Sequence, residues 1–294
     1  MESTYQFEKT YWWFKGLRAY AASFLDRVAW NGDCVVLEAG CGTGGNFELM
    51  SHYGKVFALD FMPSALLLAR SNRAERLVCA SITHIPFPNE TFDLISSFDV
   101  LTALDFEHEA QAMSELYRVL KPGGHVFFNL AALQILWGKQ DVSGFIKVRY
   151  NHRLLRRQLE EAGFRIRRLS YAYAFSFPAV LAVRLADRYL FRSLENAGTE
   201  GDFSPLPAPL NRFLAAVAQW EAKLLRFISL PFGSSIMALA QKPRTYRRVI
   251  HLKEENQETG KSKNIMQADG RSATGERRAL PHNIRQYKFF DDSH

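Results

Sequence analysis

Short apolar runs alternate with stretches of helical spacing along most of this chain. Residues 35–37 and 56–59 are apolar, rich in Val and Leu, and each run stops at an acid, Glu38 or Asp60. Runs of this length, bounded by Gly or charged residues, predict buried strands. Further strands are predicted at 76–81, 92–98, 126–130, 164–171 and 234–240. Between them lie helical patterns. Tyr5 to Asp26 is amphipathic and aromatic. Asn46 to Met50 resumes a helical pattern after a glycine turn, and Pro63 opens a helix at its first positions. Glu107 to Leu120 places Met113, Leu116, Tyr117 and Leu120 on one face. Lys121-Pro122-Gly123-Gly124 is expected to stop that helix. Asn151 to Ala162 is a basic helix with Leu155, Leu159 and Ala162 inward.

Strands alternating with helices predict an α/β fold: a doubly wound, mostly parallel seven-stranded sheet covered on both faces, with a helical insert before the last strand. The expected organisation is an aromatic helical segment over 1–30 and an α/β core over 31–176. A helical insert follows over 177–232, then the last strand of the core over 233–243 and a tail over 244–294. In the insert, Phe213, Val217, Trp220, Leu224 and Phe227 form one stripe on a helix expected from Asn211 to Ser229. Val183, Ala186 and Leu190 form another. From Arg244 the chain is charged and lacks apolar periodicity, so disorder is expected there.

Composition changes this picture little. The 294 residues are 47% hydrophobic, enough for one large core with an appendage. The formal charge is +7. The tail from Arg244 holds 11 Lys/Arg against 7 Asp/Glu, so +4 of that charge lies outside the expected core. Cys34, Cys41 and Cys79 show neither paired nor metal-type spacing, so reduced thiols, a cytoplasmic setting and no metal are expected. Met1 to Gln6 has no basic region ahead of an apolar core, and no leader is expected. The uncharged stretch from Tyr171 to Val183 is too short to span a bilayer.

The chemistry concentrates after the first strand. Glu38-Ala39-Gly40-Cys41-Gly42-Thr43-Gly44-Gly45 joins a strand to a helix through four glycines, a corner suited to anions and nucleotides. Asp60, at the tip of the second strand, can accept hydrogen bonds from both hydroxyls of a ribose. Gly40, Gly42 and Gly45 fit the G-x-G-x-x-G of dinucleotide enzymes. Gly40, Gly42 and Gly44 fit the G-x-G-x-G of S-adenosylmethionine enzymes. The glycines alone leave both open.

Later segments join this corner: Ile85-Pro86-Phe87-Pro88, Thr91-Phe92-Asp93-Leu94 and Arg118-Val119-Leu120-Lys121-Pro122-Gly123-Gly124. With them, the stretch from Val35 to Ala131 resembles class I S-adenosylmethionine-dependent methyltransferases of the bacterial type 11-like group. The resemblance implies S-adenosylmethionine as cofactor. Gly40, Cys41, Gly42 and Gly44 would bring backbone to its methionine part, and Glu38 would hold the amino group. Asp60 would hold the ribose, Ile82 and Ser81 the adenine edge, with Phe61 and Met62 over its face. Phe98 would border the methyl group. The sequence departs from the usual pattern at Ser81, where an acid is common, at Thr102-Ala103, where Glu-His is common, and at Tyr11, Leu17 and Phe145.

A narrower similarity, through Glu8, Trp12-Trp13-Phe14, Gly16, Trp137-Gly138, Asp141, Arg149-Tyr150, Asn211, Glu221 and residues 230–235, points to bacterial methyltransferases associated with polysaccharide or lipid-linked sugar metabolism. The expected acceptor is therefore a small molecule or a lipid- or sugar-linked compound. A catalytically weak, methyltransferase-like binding subunit and a nicotinamide-dependent oxidoreductase stand as alternatives. His84, Asp141, Arg149, Tyr150 and His152 are candidates for proton transfer or substrate contact. Asp141 and Tyr150 are preferred as the catalytic pair because both follow the fifth strand, at the carboxyl edge of the sheet. No nucleic-acid-binding module is present. Arg153, Arg156, Arg157, Arg165, Arg167 and Arg168 form a basic cluster. The insert, with Arg184, Arg188 and Arg192 on a polar face, is expected to cap the site and to offer peripheral contact to a membrane surface. The oligomeric state is not legible.

Overall fold

The computed structural model describes residues 7–30, 33–72, 74, 76–138, 141–142, 144–190 and 206–244. The expectations for the tail beyond 244, for residues 191–205 and for residues 1–6 lie outside these. Seven helices and seven strands are described: α1 (Trp12–Leu25), β1 (Val35–Ala39), α2 (Phe47–Ser51), β2 (Lys55–Asp60), α3 (Pro63–Ser71), β3 (Leu77–Cys79), β4 (Phe92–Phe98), α4 (Phe106–Val119), β5 (Leu120–Ala131), α5 (His152–Glu161), β6 (Arg165–Ala172), α6 (Phe177–Leu190), α7 (Ala208–Leu224) and β7 (Ser235–Gln241).

The sheet order is β3-β2-β1-β4-β5-β7-β6. β1 to β5 run parallel. β7 lies antiparallel between β5 and β6. The order reverses at β1, where β2 and β4 flank it on opposite sides, and ligand crevices form at the carboxyl ends of strands at such a switch point.

Period-two alternation divides the core between the two faces. Leu37, Ile95, Val126 and Phe128 meet Met113 and Leu116 of α4 and Leu155 and Leu159 of α5. On the other face, Val36, Leu94, Phe127 and Met237 meet Leu17, Tyr20 and Phe24 of α1, with Ala218 and Ala222 of α7 packed alongside. Local chemistry sets the helix starts. Asp105 caps α4 by accepting from His108 N, and Asn151 caps α5 by accepting from Leu154 N.

One expectation is corrected, and one helix buries its smaller face. Lys121-Pro122-Gly123-Gly124 does follow the end of α4, but these residues belong to β5. Phe92 pairs with Leu120 and Leu94 with His125, so β5 advances five residues while β4 advances two. Gly123, at φ +86°, carries the bulge. In α7, the face buried is not the large apolar stripe. Ala215, Ala218, Glu221 and Ala222 are buried, whereas Phe213 and Trp220 are exposed. The small face wins because α7 lies close against α1, where Gly16 comes so near that a Cβ there would sit 2.9 Å from Ala218 Cβ.

α7 runs alongside α1 in the same direction: Asn211 Oδ1 accepts from Trp12 N at 2.8 Å, and Arg226 pairs with Asp26 at 2.8 Å. α6 stands at the carboxyl edge, beside the loop after β5, where Arg184 lies over Gly138.

Candidate active site

The glycine corner is built by backbone conformation. Gly40, Gly42 and Gly44 have φ of +83°, +52° and +79°, a region that side chains resist. At Gly40 a Cβ would also stand 2.1 Å from Val100 Cγ2. Gly40 N and Cys41 N both donate to Leu59 O, fastening the corner to the end of β2. Asp60, 8% exposed, completes the fastening: Oδ2 accepts from Gly42 N at 2.8 Å and Oδ1 from Met62 N at 2.9 Å. Each oxygen retains a further acceptor position.

Glu38 lies at the end of β1, 1% exposed, and neither carboxylate oxygen has a hydrogen-bond partner among the described residues. Burial pushes its pKa up to about 8, and the negative charge of Glu8 adds to this, while the Asn46 side chain opposes it. Glu8 comes from the segment ahead of α1. It is buried, and it takes the space beside Gly45, where a Cβ would fall 2.5 Å from Glu8 Cδ. Arg18 fixes this segment, donating to Glu8 O at 2.8 Å. Three carboxyl groups thus surround the corner, and Glu38 is left as a buried polar group without a partner, a state that costs stability unless a ligand satisfies it.

The remaining cofactor-site candidates sit around this corner. Ile82 is buried, Phe98 and Met62 are half-buried, Cys41 is buried, and Phe61 is 71% exposed. The Ser81 hydroxyl bonds Thr83 Oγ1 at 2.8 Å and accepts from Thr83 N at 3.2 Å, a local turn that takes up part of its capacity. The aromatic start of the chain surrounds Tyr173. Trp13 stacks on it at 5.8 Å, and Trp12 and Tyr20 meet it edge-on at 5.9 and 4.7 Å.

Asp141 and Tyr150 are not brought together. Asp141 is 1% exposed and closes its own loop: Oδ2 accepts from Gly138 N at 2.7 Å, and Oδ1 accepts from Arg149 at 2.7 and 3.0 Å. Arg149 also donates to Ala132 O. Tyr150 is fully buried in the core and donates its hydroxyl to Glu109 of α4. Both side chains are engaged by structural partners, and neither bonds the other. His84 contacts Thr83 and Gln111 at the surface, and His152 stacks on Tyr171 at 4.7 Å.

The sequence reading passed over Asp99. This residue follows β4 directly, at φ +58°, in the left-handed region that Asp and Asn tolerate best among side-chain-bearing residues. Its Oδ2 accepts from Asn129 Nδ2 at 2.8 Å. Burial pushes its pKa up to about 7, against the opposing pull of Asn129 and the Arg149 charge. The available signal was the one that singled out Asp60: an acid at the carboxyl tip of a central strand.

Residues 37–128 match the family model of the methyltransferase domain. The malonyl-[acyl-carrier protein] O-methyltransferase of Yersinia pestis is 39% identical over 101 residues, 33% of this chain and 37% of that protein. The chain spans between 37% and 51% of the length of the curated relatives it matches. In structure, a putative sarcosine dimethylglycine methyltransferase from Galdieria sulphuraria aligns at a TM-score of 0.52 with 16% identity, over 78% of this chain and 86% of that one. The [4+2]-cyclase SpnF aligns at 0.50 with 21% identity, over 79% and 82%. Residues 37–128 thus resemble a methyltransferase domain, and the strand order and the glycine corner give the chain the fold of these solved neighbours.

Proposed function

We propose that this chain transfers a methyl group from S-adenosylmethionine to a hydroxyl of a small or lipid- or sugar-linked acceptor. The observation that carries this is Glu38: a buried carboxyl group with two unpartnered oxygens, beside three glycines of positive φ. An ammonium group fits that vacancy in charge and in hydrogen bonding. Asp60 would take the ribose hydroxyls and Ile82 the adenine edge, with Phe61 and Met62 over its face. The bound cofactor supplies an already activated methyl group. The chain's own tasks are then to position the acceptor and to remove its proton. Asp99 suits the second task, since a carboxyl group with a pKa near neutrality is matched to proton transfer at physiological pH. α6 and the loop pinned by Asp141 border the carboxyl edge on the acceptor side, and they support the reading of a cap. The exposed stripe of Leu210, Phe213 and Trp220 on α7 is suited to a membrane surface presenting a lipid-linked acceptor. Among the described residues, no helix is long and apolar enough to cross a membrane.

Calorimetric titration with S-adenosylmethionine, S-adenosylhomocysteine and NAD tests the reading. Micromolar binding of the first two, weakened but still measurable in Glu38→Gln, is expected, and NAD is expected not to bind. Failure of both sulfur ligands to bind refutes it. A second reading is a catalytically weak, methyltransferase-like binding subunit; a [4+2]-cyclase shares this fold, so the fold alone does not require methyl transfer. It would be favoured by tight S-adenosylhomocysteine binding together with no methyl transfer to any acceptor in a lipid and sugar panel.

A further inference from the structure

The amino edge of the sheet, opposite the glycine corner, holds a cavity of about 520 Å³. That volume is within the range of small-molecule sites. Its lining includes Arg27 from the end of α1, His125 from β5, Arg167 and Arg168 from β6, and the rings of Phe24 and Phe227. Among the described residues, no carboxylate lines it. Asp26, beside Arg27 in sequence, is taken up by Tyr53 at 2.8 Å and Arg226 at 2.8 Å.

The three guanidinium groups are only partly satisfied by neutral acceptors. Arg27 donates to the Arg226 carbonyl, Arg167 to Gln241 Oε1, and Arg168 Nη2 to Ile228 O at 2.9 Å. Arg168 Nη1 is buried without a hydrogen-bond partner among the described residues. The same guanidinium lies 4.6 Å from the centre of the Phe24 ring. Burial, and then the neighbouring Arg27 charge, lowers the pKa of Arg168. Burial and the Arg167 charge hold His125 down to about 4, so its ring is neutral at physiological pH and adds a donor without adding charge. Like charges gathered in a partly buried cavity repel one another, and an anion relieves that repulsion while filling the empty donor positions. Phe227, 85% exposed at the rim, and Phe24 within add aromatic faces on which a flat ring can rest.

We propose that this cavity is a second ligand site, for a phosphorylated small molecule carrying a flat ring, of the nucleoside diphosphate class. It lies at the opposite edge of the sheet from Glu38, Asp60 and Asp99, so its occupant is not the methyl acceptor. The proposal stands independently of the methyl-transfer reading.

The test uses the full chain with excess S-adenosylhomocysteine present, so that the glycine corner is not left open to the probe. Uridine diphosphate, pyrophosphate and uridine are titrated at low ionic strength, where exposed arginines are least screened. Saturable binding is expected for uridine diphosphate, weaker binding for pyrophosphate, and none for uridine. The Arg27→Gln/Arg167→Gln variant changes two exposed side chains, and it should lose at least tenfold in affinity for uridine diphosphate with an unchanged melting temperature. Absence of binding, equal binding of uridine, or unchanged affinity in the variant overturns the proposal. Should the variant fail to fold, amide hydrogen exchange of the wild-type chain decides. Protection by uridine diphosphate at residues 125–128 and 165–169 supports the site, and protection confined to residues 38–62, or none, overturns it.

Discussion

Asp99 and Asn129 hold each other by two hydrogen bonds across β4 and β5. The Asn129 side chain donates to Asp99 Oδ2 at 2.8 Å, and the Asp99 backbone N–H donates to Asn129 O at 2.8 Å. The second bond fixes the backbone in its left-handed turn, and the first aims the carboxyl group. Asp99→Asn keeps a residue that tolerates this turn, so the fold and S-adenosylhomocysteine affinity should persist. The turnover number should fall by about 10²- to 10⁴-fold, the usual contribution of a positioned base. In the wild-type chain kcat/KM should rise with pH through about 7 as Asp99 ionises, then level off. That limb should vanish in the variant. An unchanged profile would remove Asp99 from the reaction.

The same carboxyl group affects stability in a defined direction. Its folded pKa lies above the ordinary carboxylate value of 3.8, so the folded state holds the proton more tightly than the unfolded chain. Asp99 therefore favours folding at acid pH, and this contribution is lost as pH rises from about 4 through about 7. Asp99→Asn should flatten that decline, measured by urea melts across the range.

Glu38 gives a calorimetric signature. With a pKa of about 8 in the free chain, it is mostly protonated at pH 7. An ammonium group placed against it favours the ionised form, so cofactor binding at pH 7 should release about one proton. The observed binding enthalpy should then change with the ionisation enthalpy of the buffer, and Glu38→Gln should abolish that dependence. Buffer-independent binding in the wild-type chain would show that Glu38 does not meet the cationic group.

Asp141→Ala should destabilise the chain by about 3–5 kcal/mol, because it strands the buried Arg149 guanidinium. Replacing Arg149 with Met in the same variant should recover part of that loss. Denaturant unfolding of the single and double variants checks this. Normal stability with collapsed turnover in Asp141→Ala would return the residue to a catalytic role.

Adjacent residues of α7 should behave oppositely. Glu221 accepts from Ala174 N at 3.0 Å and Phe175 N at 2.9 Å, so Glu221→Ala should cost about 3 kcal/mol. Trp220, 65% exposed, should change stability by less than about 0.5 kcal/mol as Trp220→Ser. With Phe213→Ser, it should weaken flotation with anionic vesicles. Undiminished flotation would separate this stripe from any membrane.

The alternation of apolar runs and helical spacing was enough to read the sheet, because buried strands and amphipathic helices leave periods that a single sequence displays. The glycine corner was legible for a similar reason: Gly40, Gly42 and Gly44 are required by local backbone conformation. What stayed hidden depends on contacts distant in sequence. Asp141 and Tyr150 read as free polar groups until Arg149 and Glu109 are seen beside them. The face of α7 that is buried follows from the closeness of α1 at Gly16, so an alanine surface displaced a larger aromatic one. Asp99 depends on Asn129, thirty positions onward, and the amino-edge cavity draws its charges from the start of β6 and the end of α1.

The antiparallel placement of β7 has a consequence for how such a chain can be varied. Ala172 and Ser235 are paired across neighbouring strands, so the intervening segment leaves and re-enters the sheet at one point, as a hairpin loop does. Closing such a loop costs only about 0.6 kcal/mol more for each doubling of its length. Residues 173–234 can therefore be exchanged as one cassette, provided the replacement supplies a surface to cover α1. Grafting and recombination would then change the helices beside the sheet in a single step, with the strands and the glycine corner unchanged.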